Sequence, residues 1–251
     1  MKLLNFILVI GLIITIQSRV QAQKPVSDEI PAENGLITIQ PIQHGTLALS
    51  WNGISIYVDP TGGAKAFTGL NKPNLILITD IHGDHMNVET LESLDTEKTV
   101  LIVPQAVKDR LPEDLAGKVT VLANGEETEI MKLNIRATPM YNLPRDENSR
   151  HPKGRGNGYI LHMGGKNIYI SGDTEDIEEM RSLSNIDVAF VCMNLPYTMD
   201  INQAADAVLD FKPHIVYPYH YRGQDTEAFK KLVNSKNSDI EVRLRNWYPE
   251  N

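Results

Sequence analysis

Short apolar runs rich in Ile, Val, Leu and Tyr recur from Leu36 to Leu244, and so many strand-length segments commit the chain to a fold built on β-sheet. They predict strands at 36–42, 46–50, 54–58, 75–78, 99–103, 119–122, 134–137, 159–163, 167–170, 188–191, 215–219 and 240–244. Asn52 and Gly53, between two of these runs, form a type I′ hairpin signal. Helical spacing falls between several of the runs, at 105–111, 175–183, 202–211 and 226–233. Hairpins mixed with strand–helix alternation predict an α+β protein, with a mixed sheet or two sheets and helices outside. No linker divides the chain, and 41% hydrophobic residues in 251 suffice for one sizeable core.

The first 22 residues stand apart. Lys2 precedes an apolar stretch from Leu3 to Ile16, and Ala22 supplies a small residue at a cleavage position, so residues 1–22 read as a signal peptide. An uncleaved anchor is the competing reading. Residues 23–35 are expected to be a flexible lead and residues 36–251 the folded domain. Export makes the expected location periplasmic or secreted. Loss of Lys2 and Arg19 with the signal would move the formal charge from −8 to −10. So acidic a chain has no basic surface to gather nucleic acid, and a small-molecule substrate is the expected partner. Removal of the signal would leave no stable membrane anchor, and the sequence does not disclose an oligomeric state. Cys192 is the only cysteine, which excludes an intrachain disulfide. It lies in an apolar run and reads as a buried core thiol.

Directly after the run 74–79, the chain places Asp80, His82, Asp84 and His85 within six residues. Imidazole nitrogens and carboxylate oxygens bind divalent cations only where several converge, and a tight loop at a strand end provides that. Gly83 is expected to let the backbone turn there. Asp80 and His82 would face one point while Asp84 and His85 face a second, which suggests two metals. The plainer alternative is a polar loop in which Asp84 or Asn87 caps a helix at 88–94.

Three more candidates sit at strand ends or in the long loop 140–157: His151, Asp173 and His220. Each has an ordinary alternative. Asp173 suits a turn or a helix N-cap, His220 a hydrogen-bonded core histidine, and His151 a solvated loop. A structureless loop as long as 140–157 in a compact domain is usually functional.

In order and placement, Asp80-x-His82-x-Asp84-His85, His151, Gly172-Asp173-Thr174 and His220 resemble the metallo-β-lactamase superfamily of metal-dependent hydrolases. The likeness spans about 36–244 and is greatest to the branch that contains the ascorbate-6-phosphate lactonase; His44-Gly45 and Asp59-Pro60 are part of it. The resemblance implies an αβ/βα four-layer sandwich with two mixed sheets and a metal cleft between sheet edges. It implies one ion on Asp80, His82 and His151, a second on Asp84, His85 and His220, and Asp173 bridging. It further implies a bridging hydroxide as nucleophile, with Asp84 or Asp173 taking a proton for the leaving group. Zinc is the first expectation, with manganese or iron as alternatives. His162 and His214 match nothing in the pattern.

Position 80 departs from the pattern, since the family usually has His there. A third carboxylate adds one negative charge and is expected to weaken zinc preference relative to harder ions. For substrate, His44, Tyr141, Arg145, Arg155, Tyr197, Tyr221 and Arg222 lie near proposed ligands, with arginine forks suited to anionic groups. An ester, lactone or phosphodiester is the expected bond. The alternatives are an iron-dependent redox enzyme on the same scaffold and a non-catalytic metal-binding protein.

Overall fold

The computed structural model describes residues 25–249, so the expected signal peptide lies outside the described residues. One sheet holds β1 (Asp28–Ala32), β2 (Gly35–Gln43), β3 (Thr46–Trp51), β4 (Ile54–Val58), β5 (Leu75–Leu77), β6 (Val100–Val103) and β7 (Val119–Val121), in that spatial order. The other holds β8 (Glu127–Ile130), β9 (Leu133–Met140), β10 (Gly156–Met163), β11 (Lys166–Ile170), β12 (Val188–Cys192), β13 (Ile215–Tyr219) and β14 (Glu241–Val242), again in order. Both sheets are mixed. Pairs from β1 to β4 and from β8 to β11 are antiparallel, while pairs from β4 to β7 and from β11 to β14 are parallel.

Period-two alternation sorts the apolar side chains into layers. In the first sheet Leu49, Ile56, Leu75, Leu77 and Ile102 pack toward the second sheet, in one cluster with Ile135, Leu161 and Phe190. Their neighbours Ala48, Tyr57, Ile76, Leu101 and Val103 face Leu91, Val107, Leu111 and Leu115, which the outer helical segments supply. Helices Ile201–Phe211 and Thr226–Lys236 cover the second sheet with Ala204, Val208, Phe211, Phe229 and Val233. The result is the α+β arrangement of two mixed sheets flanked by helices. No helix among the described residues is long and apolar enough to cross a membrane.

Asn52 and Gly53 both have positive φ (47° and 78°), as a type I′ turn between β3 and β4 requires. Two expectations need correction. Residues 28–32 of the supposed flexible lead form an edge strand, because Ile30 is buried and Asp28 binds Tyr217 and Arg245. The expected helix at 175–183 shortens to Glu178–Arg181, capped at Ile177, so Asp173 is not its N-cap. Asn87 caps Val88–Ser93 by accepting from the Thr90 N–H at 2.7 Å, which frees Asp84 from that role.

The sheets meet at a point that matters for the site. The Asn157 N–H donates to the Thr79 carbonyl at 2.9 Å, joining the start of β10 to the loop after β5. A Cβ on Gly156 would sit 2.6 Å from Met140 Cε and 2.8 Å from Thr79 O. Only glycine permits that approach.

Candidate metal centre

The ends of β4, β5, β11 and β13 carry Asp59, the loop from Asp80 to His85, Asp173 and His220 to one edge of the sandwich. The β2–β3 turn adds His44 and the loop between β9 and β10 adds His151. Within 80–85 the chain closes one helical turn, with the His85 and Met86 N–H groups donating to the His82 carbonyl at 2.9 and 2.8 Å. A Cβ on Gly83 would meet nothing within 4 Å and its φ is not positive, so, contrary to expectation, the turn does not depend on glycine. Instead His44, Asp59 and His220 take positive φ, at 49°, 45° and 49°. A side chain in that region costs on the order of 1 kcal/mol, and such strain gathers at functional sites.

Three groups of donor atoms result, each mutually within 4.8 Å: Asp80, His82 and His151; His85, Asp173 and His220; His44, Asp84 and His220. Asp173 faces both halves. Its Oδ2 is 3.2 Å from His85 Nε2 and 3.3 Å from His151 Nε2, and its Oδ1 is 3.4 Å from His220 Nε2. Asp84 Oδ2 lies 3.4 Å from His220 Nε2 and 3.1 Å from His44 Nε2. His82 Nδ1 approaches Asp80 Oδ2 to 2.7 Å without hydrogen-bond geometry. The seven proposed ligands are therefore brought together. His162 and His214 pair elsewhere, with Asn167 and Asp187.

The atoms that face inward are the ones left without partners. Among the described residues His82 Nδ1, His85 Nε2, His151 Nε2, His220 Nε2 and Asp173 Oδ1 are buried and make no hydrogen bond. Each such orphan costs roughly 1–3 kcal/mol, so five in one place call for a common partner. Behind three of the rings the far nitrogens are held, that of His220 by Asn194, whose Nδ2 lies 3.3 Å from His220 Nδ1. His151 Nδ1 is 3.1 Å from Asn142 Oδ1, and His85 Nδ1 is 2.8 Å from Asp59 Oδ2. Asp59 also accepts from the Thr79 N–H at 2.7 Å and the Thr79 hydroxyl at 2.6 Å. A histidine fixed from behind by a carboxylate presents its other nitrogen to a metal. Divalent cations fit this donor set.

Charge follows the same geometry. Burial alone would raise the Asp173 carboxyl, but His220, His85 and His151 hold it well below the usual range. Asp84 is lowered in the same way by His220, His44 and His85 against its burial. Burial alone would lower His85, yet Asp173 and Asp59 push it well above the ordinary imidazole value. Burial lowers His44, and Asp84 only partly offsets that.

A family model for the β-lactamase superfamily domain matches residues 38–220. The chain belongs to the metallo-β-lactamase superfamily. A UPF0173 metal-dependent hydrolase of Pyrococcus abyssi is 31% identical over 195 residues, covering 72% of this chain and 85% of that protein. The crystal structure of a Parabacteroides distasonis protein described as a metal-dependent hydrolase has 38% identity and a TM-score of 0.79, over 88% of this chain and 98% of that one. CmlA, a diiron β-hydroxylase from Streptomyces venezuelae, shares the fold at 18% identity and a TM-score of 0.64, over 86% of this chain and 54% of that one.

Among the metallo-β-lactamase features, position 80 remains the departure, and the structure supplies a counterweight the sequence did not reveal. Arg155 donates from Nε to Asp80 Oδ1 at 3.1 Å and from Nη2 to Asp80 Oδ2 at 2.9 Å. The added carboxylate is thus offset by a cation, which removes the charge surplus expected from sequence. Arg155, considered for substrate, is engaged in this pair. Tyr141 is buried and donates its hydroxyl to Glu179, with Arg145 on that same hydroxyl. Tyr197 lies under Arg150 on the surface. Arg222 and His44 line a cleft of about 490 Å³ with Asp84, Thr61, Trp247 and Tyr248. Tyr221 packs edge-on against Tyr248. Asp59 and Tyr248 went unselected as site residues. Asp59-Pro60 was part of the family likeness but carried no role there, and nothing local marked Tyr248.

Proposed function

We propose that this metal-dependent hydrolase is dinuclear and acts on an ester, lactone or phosphodiester bond of a small molecule. What carries the reading is the convergence of five buried, partnerless donor atoms on two sides of Asp173. Asp80, His82 and His151 would hold one ion, and Asp84, His85 and His220 the other, with Asp173 between. Two divalent ions there would supply a water nucleophile at neutral pH and polarise the oxygen under attack. Zinc suits the imidazole-rich set, with manganese or iron as the carboxylate-favoured alternatives.

The chain's own groups divide the remaining work. Asp173 is buried and positions ligands from both halves. Asp84 is the ionised carboxylate that also borders the cleft, so it takes a proton released beside the nucleophile only in passing and hands it on rather than keeping it. His44, kept neutral by burial, joins Asp84 at 3.1 Å to the Tyr248 hydroxyl at 2.6 Å, a route for that proton toward a leaving group. Arg222 at the cleft rim makes no side-chain contact to an acid among the described residues and suits an anionic substituent on the substrate. Export to the periplasm or outside, directed by residues 1–22, is part of the same reading; amino-terminal sequencing of the protein recovered from its native host tests it.

Metal-loaded protein assayed against chromogenic esters, a lactone and a phosphodiester tests the activity. Turnover is expected with at least one class, is lost with a chelator and is lost in Asp173→Ala. Turnover that survives both rejects the metal mechanism, and full metal occupancy without turnover of any substrate leaves the non-catalytic alternative.

A further inference from the structure

Asp80 and Arg155 are 75 residues apart in sequence and form a two-bond fork inside the site. The Asp80 carboxylate is fully buried, and the Arg155 side chain is one-fifth exposed. Arg155 cannot swing freely. Its Nη2 also donates to the Arg150 carbonyl at 2.5 Å, and its backbone is pinned by Gly156, whose lack of a Cβ lets β10 press against Thr79, the residue before Asp80. The fork leaves Asp80 Oδ2 as the atom that also faces His82 Nδ1 at 2.7 Å and His151 Nε2 at 3.9 Å. Both ends of the pair are therefore set by the fold.

We propose that Asp80 and Arg155 act as one charge-neutral unit that occupies the place of a neutral ligand, Arg155 being a positioning residue that sets both the direction and the donor strength of Asp80. This rests on the dinuclear reading. A guanidinium bound bidentately withdraws negative charge from the carboxylate it holds and fixes its plane. The pair then presents one oxygen of reduced charge to the ion shared with His82 and His151. Neither residue is replaceable alone: imidazole at position 80 would face a partly sheltered guanidinium that has lost its acid, and a neutral side chain at position 155 would leave a full, unaligned carboxylate.

The test is a double-mutant cycle read as metal affinity rather than turnover. Wild-type protein, Asp80→His, Arg155→Gln and the double variant are stripped of metal. Each is then titrated with zinc(II) against a competing chelator, and bound ions per chain are counted by elemental analysis. Wild-type protein is expected to take up two ions. D80H should bind one of them at least tenfold more weakly, and D80H/R155Q should recover to within about threefold of wild type, because charge neutrality returns. Two ions in wild type with D80H unchanged, or a double variant no tighter than D80H, would overturn the inference while leaving the dinuclear reading intact. Fewer than two ions in wild type overturns the dinuclear reading itself. Should D80H fail to fold by circular dichroism, the ratio of manganese(II) to zinc(II) affinity in the single Arg155 variants decides. R155Q should raise that ratio at least threefold and Arg155→Lys should not, whereas an unchanged ratio in R155Q contradicts the unit.

Discussion

Asp59 Oδ2 stands 2.8 Å behind Nδ1 of His85, in a carboxylate that Thr79 binds twice more, at 2.7 and 2.6 Å. The contact fixes which nitrogen of His85 faces Asp173, although the two acids enter from different sheets. In Asp59→Asn the left-handed backbone at position 59 is retained at little cost, since Asn adopts it readily. Metal affinity is expected to fall about 10–100-fold, the usual loss when such a partner is removed. Chelator competition measures it. An affinity equal to wild type in a folded D59N protein would show that the contact is only structural.

Metal should also register as stability. An ion that binds only the folded chain raises its stability by about 2.7 kcal/mol at a hundredfold excess over Kd. Differential scanning fluorimetry of stripped protein is expected to show a rise in Tm on adding zinc(II), and no rise in Asp173→Ala. Equal rises in both proteins would separate Asp173 from metal binding.

Gly156→Ala tests the seam between the sheets. The new methyl would meet Met140 Cε and the Thr79 carbonyl below 3 Å, so the strand must shift. The expected loss is about 1–3 kcal/mol, typical of overpacking, read by urea denaturation. A loss below a few tenths of a kcal/mol would mean that β10 and the Thr79 loop are not held in contact.

Much of the centre was legible because its donors crowd one loop and recur at strand ends: Asp80, His82, Asp84, His85, His151, Asp173 and His220 all converge. What stayed hidden depends on contacts across the fold. Arg155 was selected, yet its partner Asp80 is set by the meeting of β10 with the loop after β5, which no local pattern encodes. Asp59 entered only as part of the family likeness, with no role attached, because its place behind His85 is a contact across the fold. β8 escaped notice because its residues Glu127–Ile130 bury no face fully and are held by ladder bonds to β9. β1 was missed because Pro31 and two acids mask a strand anchored by Ile30 and Asp28.

Cys192 gives a separate check on the core between β11 and β13. Burial pushes its thiol up to about 12, and its Sγ lies 3.4 Å from the Thr174 carbonyl. The nucleophilic thiolate is therefore scarce at pH 8. Native protein is expected to resist an aromatic disulfide reagent for hours and to react with one equivalent once unfolded in guanidinium. Rapid reaction of the native chain would show that this core opens locally.

Anomalous diffraction from crystals of metal-loaded protein, recorded at the absorption edge of the bound metal, bears most directly on the dinuclear centre. Two peaks per chain are predicted: one among Asp80, His82 and His151, the other among Asp84, His85 and His220, with Asp173 between them. A single peak, or peaks away from these donors, would contradict it.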